Sequence, residues 1–305
     1  MKMRTVKVSL GYLFDDLKFC FISDKRFNER LFKKEKGYSL NRQTEPSTFT
    51  EKLIYLKEHY RNPLMTLCSD KYLVTKYLDM CDCSEIKKTI YGVYKSTKDI
   101  DFDSLPDRFF IRCNHMSGCN FVFDKKFDKT RKREIMRLLS SSLKHNWYHS
   151  NREWNYKDIS PLIICEECLE NPDHSPLIDY KFYCFSGVPK YWMVSLGELD
   201  HNVHNHKFDM NCNSIDFYFK KKSTLSEEEA RRYIPNNFAE MVEYVKRLCK
   251  PFPHVRVDLY NIFGRIVFGE LTFFSNSGVV NVISKEFETT IGSWILLDKY
   301  KKDLQ

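Results

Sequence analysis

The chain is predicted to be an α+β protein built on antiparallel sheets, with a mainly helical N-terminal region. Three observations lead there. Strand-like and helix-like segments are interleaved along the sequence. The strands come as hairpins, turning at Ser186-Gly187 and near Gly264, rather than as repeated βαβ units. The first 65 or so residues read mostly as helix.

Taken in order, LFKKEKGYSLN breaks the N-terminal helices. Thr50 is the expected N-cap of EKLIYLKEHYR, whose Leu53, Ile54, Leu56 and Tyr60 make a helical stripe ending at Asn62-Pro63. A second helix is expected from Asp70 to Asp79, capped by Ser69 or Asp70. KKTIYGVY reads as a strand. RFFIRCN and NFVF read as two short strands around the turn NHMSGC, and Thr130 to Lys144 has helical spacing. PLIICEECL is a nearly continuous apolar run, the pattern of a buried strand. DYKFYCFSGVPKYWMVSL is a hairpin, and HNVHNHKFDMNCNS is polar and reads as irregular. SEEEARRYI and NNFAEMVEYVKRLCK are helices, and VRVDLYNIFGRIVFGELTFF is a second hairpin.

Composition bounds the function. Of 305 residues, 42% are hydrophobic, 30% charged and 15% aromatic, which suits a globular chain with one large core or two moderate ones. No run reaches the roughly 18 apolar residues of a membrane-spanning helix. Asp15, Asp16 and Lys18 interrupt the N-terminal apolar stretch, against a signal peptide. Eleven cysteines without regular spacing predict free thiols and a cytoplasmic protein. The net charge of +8 favours anionic partners. The basic clusters (Lys33-Lys34, Lys125-Lys126, Arg131 to Arg133, Lys220 to Lys222) are scattered, with no nucleic-acid-binding signature.

The segment from Val255 to Phe274 carries the most chemistry. A three-residue turn, Ile262-Phe263-Gly264, would pair Asn261 with Arg265 and set Asp258 opposite Phe268. Arg256, Asp258, Tyr260, Phe268, Glu270 and Thr272 then share one face, with Glu270 the diagonal neighbour of Asp258. Adjacent carboxylates repel unless a cation lies between them, and this spacing suits Mg²⁺. Arg256 could contact a transferring phosphoryl group. The other reading is an exposed hairpin face on which Arg256 pairs with Asp258 or Glu270.

Three weaker signals accompany it. The turn after Arg112, Asn114 to Gly118, could present backbone N–H groups to a phosphate. Cys165-Glu166-Glu167-Cys168 has C-x-x-C spacing but no second pair. A strand end there suits a hinge that pairs with an adenine edge while a carboxylate holds the ribose. His201, His204 and His206 form a dense histidine patch, either a metal-binding cluster or a surface loop. Asp101-Phe102-Asp103 is a weak D-x-D motif of the kind that binds a metal-bound sugar nucleotide, or else it caps a turn.

In this order the segments RNPLMTLCSDKYLVTKYL, LPDRFFIRCNHMSGCN, NREWNYKDISPLIICEECLE, DYKFYCFSGVPK and FPHVRVDLYNIFGRIVFGELTFFSNSG resemble the TupA-like, teichuronopeptide-biosynthesis family of ATP-grasp enzymes, from about residue 60 to 280. The resemblance implies two α+β subdomains gripping nucleotide between antiparallel sheets. It divides the chain into a helical region 1–65, a small subdomain with the phosphate loop at 66–165, and a C-terminal lobe with the metal-binding hairpin at 166–305. It implies that Lys71 and Arg112 meet the phosphates, and that the loop Asn114, His115, Ser117 and Gly118 closes over them. Glu166, Glu167, Cys168 and Leu169 would meet adenine, with Glu170 or Asp179 on the ribose. Lys181 would bind phosphate and Arg256 would stabilise the reacting phosphoryl group. Asp258, Glu270 and Thr272 would hold Mg²⁺. Three positions depart from the family: Arg112 replaces lysine, Cys119 stands where the loop has glycine, and Thr272 stands where asparagine is usual.

The implied activity is an ATP-dependent carboxylate–amine ligase working through an acyl phosphate, with ATP and Mg²⁺ as cofactors. It would join an amino acid to a uronic acid or another surface-polysaccharide precursor, with no nucleic-acid partner and with peripheral association with envelope-biosynthesis machinery. The alternatives are a glycosyltransferase-like enzyme of capsule synthesis and a non-catalytic nucleotide-binding protein.

Overall fold

A computed structural model describes residues 2–197, 203–215, 224–280, 282 and 284–304. His201 and Lys220 to Lys222 lie outside the described residues. The helices are α1 (Lys2–Phe21), α2 (Asp24–Lys36), α3 (Phe49–His59), α4 (Pro63–Ser69), α5 (Val74–Met80), α6 (Lys129–Ser142), α7 (Trp147–Asn151), α8 (Glu227–Arg231), α9 (Phe238–Cys249) and α10 (Lys285–Ser293). The strands are β1 (Ile90–Tyr94), β2 (Arg108–Cys113), β3 (Asn120–Asp124), β4 (Ile163–Glu166), β5 (Ile178–Phe185), β6 (Val188–Leu196), β7 (His204–Asp209), β8 (His254–Ile262) and β9 (Arg265–Thr272).

The chain forms two compact units. The first comprises Met1–Phe27, Pro63–Tyr77 and Lys88–Leu169. Its antiparallel sheet has the order β1-β4-β2-β3. All four residues of β4 are buried, as its apolar run requires. The core beneath the sheet joins Phe109, Ile111, Phe123 and Ile163 to Ile135 and Leu139 of α6. Asp128 caps α6 by accepting from the N–H of Arg131 at 2.8 Å.

The second unit comprises Asn28–Asn62, Leu78–Lys87 and Glu170–Gln305. Its antiparallel sheet runs β7-β6-β5-β8-β9. Trp192 is fully buried and stacks on Phe182 and Phe208, and the apolar face of α9 supplies Met241, Val245 and Leu248. The β5–β6 turn falls at Ser186-Gly187, both with positive φ, the two-residue geometry that matches strand twist.

Several expectations need correction. The helical stretch 1–65 is not one region: α1 packs on α6 and α7 in the first unit, while α3 packs on α10 in the second. Residues 78–87, expected in the small subdomain, belong to the second unit, and the later boundary falls at Leu169 and Glu170. Thr48 rather than Thr50 caps α3, in a capping box with Glu51, because the Thr48 side chain accepts from the Glu51 N–H. The single helix expected over Asp70–Asp79 is replaced by a turn at 70–73 followed by α5. The Asp70 carboxylate accepts from the N–H groups of Tyr72 and Leu73 at 2.8 and 3.1 Å, which delays the helix. His204–Asp209, read as irregular, is the edge strand β7. Its polar composition reflects an edge on which His206 and Phe208 are buried and their neighbours are half-exposed.

Candidate active site: an acidic sheet face and an anchored turn

The β8–β9 hairpin turns through two residues, not three. Phe263 and Gly264 have φ of +50° and +97°, and Ile262 pairs with Arg265. The Asn261 side chain accepts from the Gly264 N–H at 2.9 Å and so holds this turn. The change shifts the register by one residue, which alone would send Glu270 to the face opposite Asp258. A bulge at Gly269 restores it. Asp258 pairs directly with Glu270, while Leu259 pairs with Phe268. Glu270 is therefore the direct neighbour of Asp258 rather than the diagonal one, and Phe268 moves to the other face, buried. A Cβ at Gly269 would lie 2.8 Å from the Asp258 carbonyl oxygen, which makes glycine obligatory there.

Register across the sheet aligns the rest. Lys181 of β5 lies opposite Asp258, which lies opposite Glu270. The next row is Tyr183, Arg256 and Thr272. Arg256 is the hub: its Nε donates to Asp258 Oδ1 at 2.7 Å and its Nη2 to Asp258 Oδ2 at 2.6 Å, Glu270 Oε1 at 3.1 Å and Thr272 Oγ1 at 3.1 Å. Thr272 Oγ1 donates to Glu270 Oε1 at 2.9 Å. Lys181 Nζ lies 3.4 Å from Asp258 Oδ2 and closer still to Asp179. Burial is the largest influence on Arg256 and opposes its charge, but Asp258, Tyr183 and Glu270 together outweigh it and raise the guanidinium pKa further. Asp179 is buried, its Oδ1 has no partner, and burial lifts its pKa to about 7 against the pull of Lys181.

In the first unit, Arg112, next to last in β2, lies beside Glu166 at the end of β4. Arg112 Nη2 donates to Glu166 Oε2 at 3.1 Å, and Lys88 Nζ donates to Glu166 Oε1 at 3.0 Å. Burial works against ionising Glu166, and Arg112 with Lys88 overcomes it. The Glu166 side chain is thus committed to two cations, and Arg112 Nε is buried without a partner. Glu167 continues the pairing through its backbone N–H, which donates to Thr89 O at 2.8 Å. Cys168 and Leu169 are half-buried and Glu170 is exposed.

The turn after Arg112 has a fixed base and an open tip. Asn114 donates to Asp70 and to the Ser160 carbonyl, both at 3.0 Å, and accepts from the Leu162 N–H at 2.7 Å. His115 Nε2 lies 3.1 Å from Ser142 O and 3.2 Å from His145 O, and burial pushes its pKa down. Lys71 Nζ donates to Met116 O at 2.8 Å. Cys119 faces Cys113 across the base, Sγ to Sγ 3.6 Å. Ser117 and Gly118 are exposed at the tip, and Gly118 has φ of +80°. The side chains of Asn114, His115 and Lys71 therefore serve the turn itself, and Ser117 and Gly118 are left exposed at its tip.

The sequence model of the TupA-like ATP-grasp family matches residues 51–296. The chain belongs to that family. With this membership it is an ATP-grasp ligase. Among solved structures it is similar to D-alanine–D-alanine ligase from Bacillus anthracis complexed with ATP, with 14% identity over 90% of this chain and 84% of that one, TM-score 0.44. An L-amino acid ligase from Bacillus licheniformis is similar at 13% identity over 69% of this chain and 44% of that one, TM-score 0.39. Likeness at this level carries no weight beside the family match. No curated protein matches the chain.

Two features went unseen in the sequence. Lys88 joins Arg112 on Glu166, and its signal was no more than a lysine before a strand. After β9, Asn276, Ser277 and Gly278 have φ of +50°, +57° and +89°, and Ser275 Oγ accepts from Arg256 Nη1 at 3.3 Å. Consecutive positive-φ residues are rare and cluster at functional sites. The run SNSG at a strand end was the available signal. Asp101-Phe102-Asp103 forms a local turn, in which the Asp101 side chain accepts from the Asp103 N–H at 3.2 Å.

Proposed function

We propose that this ligase activates a carboxylate as an acyl phosphate and transfers it to an amine, with a uronic acid or another surface-polysaccharide precursor as one substrate and an amino acid as the other. The observation that carries the reading is the row Lys181, Asp258 and Glu270 on one sheet face, bracketed by Arg256. Two directly opposed carboxylates need positive charge between them, and Arg256 and Lys181 supply it in this structure. The donors fit Mg²⁺: two hard carboxylates with Thr272 beside them. Among the described residues no group of three or more His, Cys, Asp or Glu side chains is placed to hold a metal. Asp258 and Glu270 would therefore hold Mg²⁺ only together with oxygens from the nucleotide, as magnesium sites commonly do. When bound, Mg²⁺ neutralises phosphate charge.

The chain's own residues do the remaining work. Arg256 moves from its carboxylates to the transferring phosphoryl oxygens, which raises the positive potential where charge develops. Lys181 neutralises a phosphate oxygen from the same row. Lys71, Arg112 and the N–H groups at Met116 to Gly118 bind the phosphates. The hinge from Glu167 to Leu169 takes the adenine, and Asp179 or Glu170 the ribose. The substrate carboxylate attacks the γ-phosphorus of ATP and ADP leaves; the amine then attacks the acyl carbon, the C–O bond to phosphate breaks, inorganic phosphate departs and the amine proton leaves to solvent.

The test is thermal shift with ATP, with and without Mg²⁺, on the wild type, Asp258→Asn and Glu270→Gln, followed by ATP-dependent phosphate release with a uronic acid and an amino acid. ATP-Mg²⁺ is expected to stabilise the wild type by about 2–4 kcal/mol at saturating ligand, and both variants to lose the magnesium-dependent part. An unchanged magnesium response in both rejects the assignment.

A further inference from the structure

The first unit contains a cavity of about 1070 Å³ that includes none of the residues assigned above. Its size reaches the upper end of small-molecule sites. Apolar groups make its floor: Tyr12 and Leu13 from α1, Phe102, Phe123, and Met136 from α6. Its rim is basic. Arg133, Arg137 and Lys144 stand at positions i, i+4 and i+11, so they follow one edge of α6 and its continuation.

These three cations have no side-chain partner among the described residues. The other two lysines of the rim are spoken for: Lys125 donates to Leu105 O and Lys132 to Lys125 O, both at 2.6 Å. Of the two acids present, Asp16 is held by His149 at 2.7 Å, and Asp103 is exposed. The hydroxyls are also engaged, Ser140 with Thr97 at 2.9 Å and Tyr12 with Ser142 at 3.2 Å. Little is left to hydrogen-bond a sugar ring or a base edge. Unpaired positive charge beside apolar surface is what remains. The apolar surface continues outward, because Leu13, Leu17 and Phe21 form a stripe on α1 that is 56%, 51% and 79% exposed.

We propose that this cavity binds a single anionic amphiphile, a phosphate monoester bearing an aliphatic chain. The phosphate is held by Arg133, Arg137 and Lys144, and the chain lies over Leu13 and Met136 toward the α1 stripe. Like-charged neighbours without counterions raise one another's free energy, and a phosphate between them removes that cost. The apolar floor selects for the chain.

Calorimetric titration of the full chain tests the proposal, using decyl phosphate below its micelle threshold, decanol and inorganic phosphate. Decyl phosphate is expected to bind about tenfold or more tighter than either comparison ligand. The double variant R133Q/R137Q and the separate variant Leu13→Asp, all at exposed positions, are each expected to weaken it about tenfold. Equal binding of inorganic phosphate, unchanged binding in both variants, or attachment to phosphatidic acid vesicles without binding of the monomer would each overturn it. ATP-dependent turnover is measured alongside, and its persistence when decyl phosphate fails to bind leaves the ligase reading intact.

Discussion

Asp179 shows how the sheet face makes ionisation a liability. Its pKa of about 7 stands above the usual aspartate value of 3.8, because burial outweighs the stabilising Lys181 charge and Asp258 adds repulsion. Between those two values the folded protein holds a proton that the unfolded chain has released. The stability that Asp179 contributes is therefore complete below about pH 4 and is lost as pH rises through about 7. Asparagine carries no such proton, so Asp179→Asn should gain a few degrees in Tm relative to the wild type between pH 5 and pH 8. A constant Tm difference across that range would show that Asp179 is ionised throughout. Arg256 poses the complementary case. Arg256→Ala leaves Asp258 facing Glu270 with Lys181 as the remaining cation, at a cost of about 3 kcal/mol as for a broken buried ion pair. Melting in chelator should show that loss in full, and added ATP with Mg²⁺ should restore part of it. An equal loss in both conditions would mean that the carboxylates do not share a cation. At this scale the sequence pointed to the two acids that meet, although through a turn and register that the structure replaces. It did not show Lys88 reaching Glu166, a contact formed by residues 78 apart across a sheet, for which no local pattern exists.

The β8–β9 hairpin carries the same lesson one level up. The sequence marks it as a hairpin with Gly264 in the turn, and that element is present. A loop of two residues and one of three differ by a register step, and the choice was made by the Asn261 side chain on the Gly264 N–H. The bulge at Gly269 then returns Glu270 to the face of Asp258. Two local departures cancel, so the acidic pair arises by a route that period-two counting does not foresee. The bulge makes a sharp prediction. Gly269→Ala brings a Cβ to 2.8 Å from a backbone oxygen and 3.2 Å from the carbonyl carbon of Asp258, atoms that cannot swing aside. The strand must separate or slip there, at a cost of about 2 kcal/mol. The magnesium-dependent thermal shift should fall with it, although no ligand has been altered. Retention of the full magnesium response in Gly269→Ala would mean that the bulge is dispensable for pairing the carboxylates. β7 was missed for a related reason: an edge strand needs only alternate burial, and His206 and Phe208 supply it within a segment polar enough to read as loop.

At the level of the whole chain, burial rather than sequence order decides what folds with what. Composition and hairpin signals were enough to predict α+β with antiparallel sheets, and the two sheets are antiparallel throughout. The N-terminal helices misled, because a run of helix looks like a unit until its apolar faces find their partners. Residues 28–62 complete the second unit, although more than a hundred residues separate them from its sheet. Phe49, Leu53, Ile54 and Tyr60 are each at most 1% exposed. Phe49 packs on Phe185 at a ring separation of 5.2 Å, and Glu288 of α10 accepts from the Thr50 N–H at 3.1 Å. The segment also supplies Lys57, whose Nζ donates to Ser277 O at 3.0 Å within the positive-φ turn next to Arg256. A chain beginning at Pro63 would keep every residue proposed to hold nucleotide or metal, and on sequence division alone it should retain the ligase core. Deleting four fully buried large side chains removes about 8 kcal/mol or more of apolar burial, comparable to the whole stability of a domain. The truncated chain is therefore expected to lose cooperative melting and the ATP-Mg²⁺ shift together, while a chain missing only the first 21 residues keeps the second unit's packing and its magnesium response. A cooperative, ligand-responsive melt from the chain beginning at Pro63 would show that α3 is an appendage rather than part of that core.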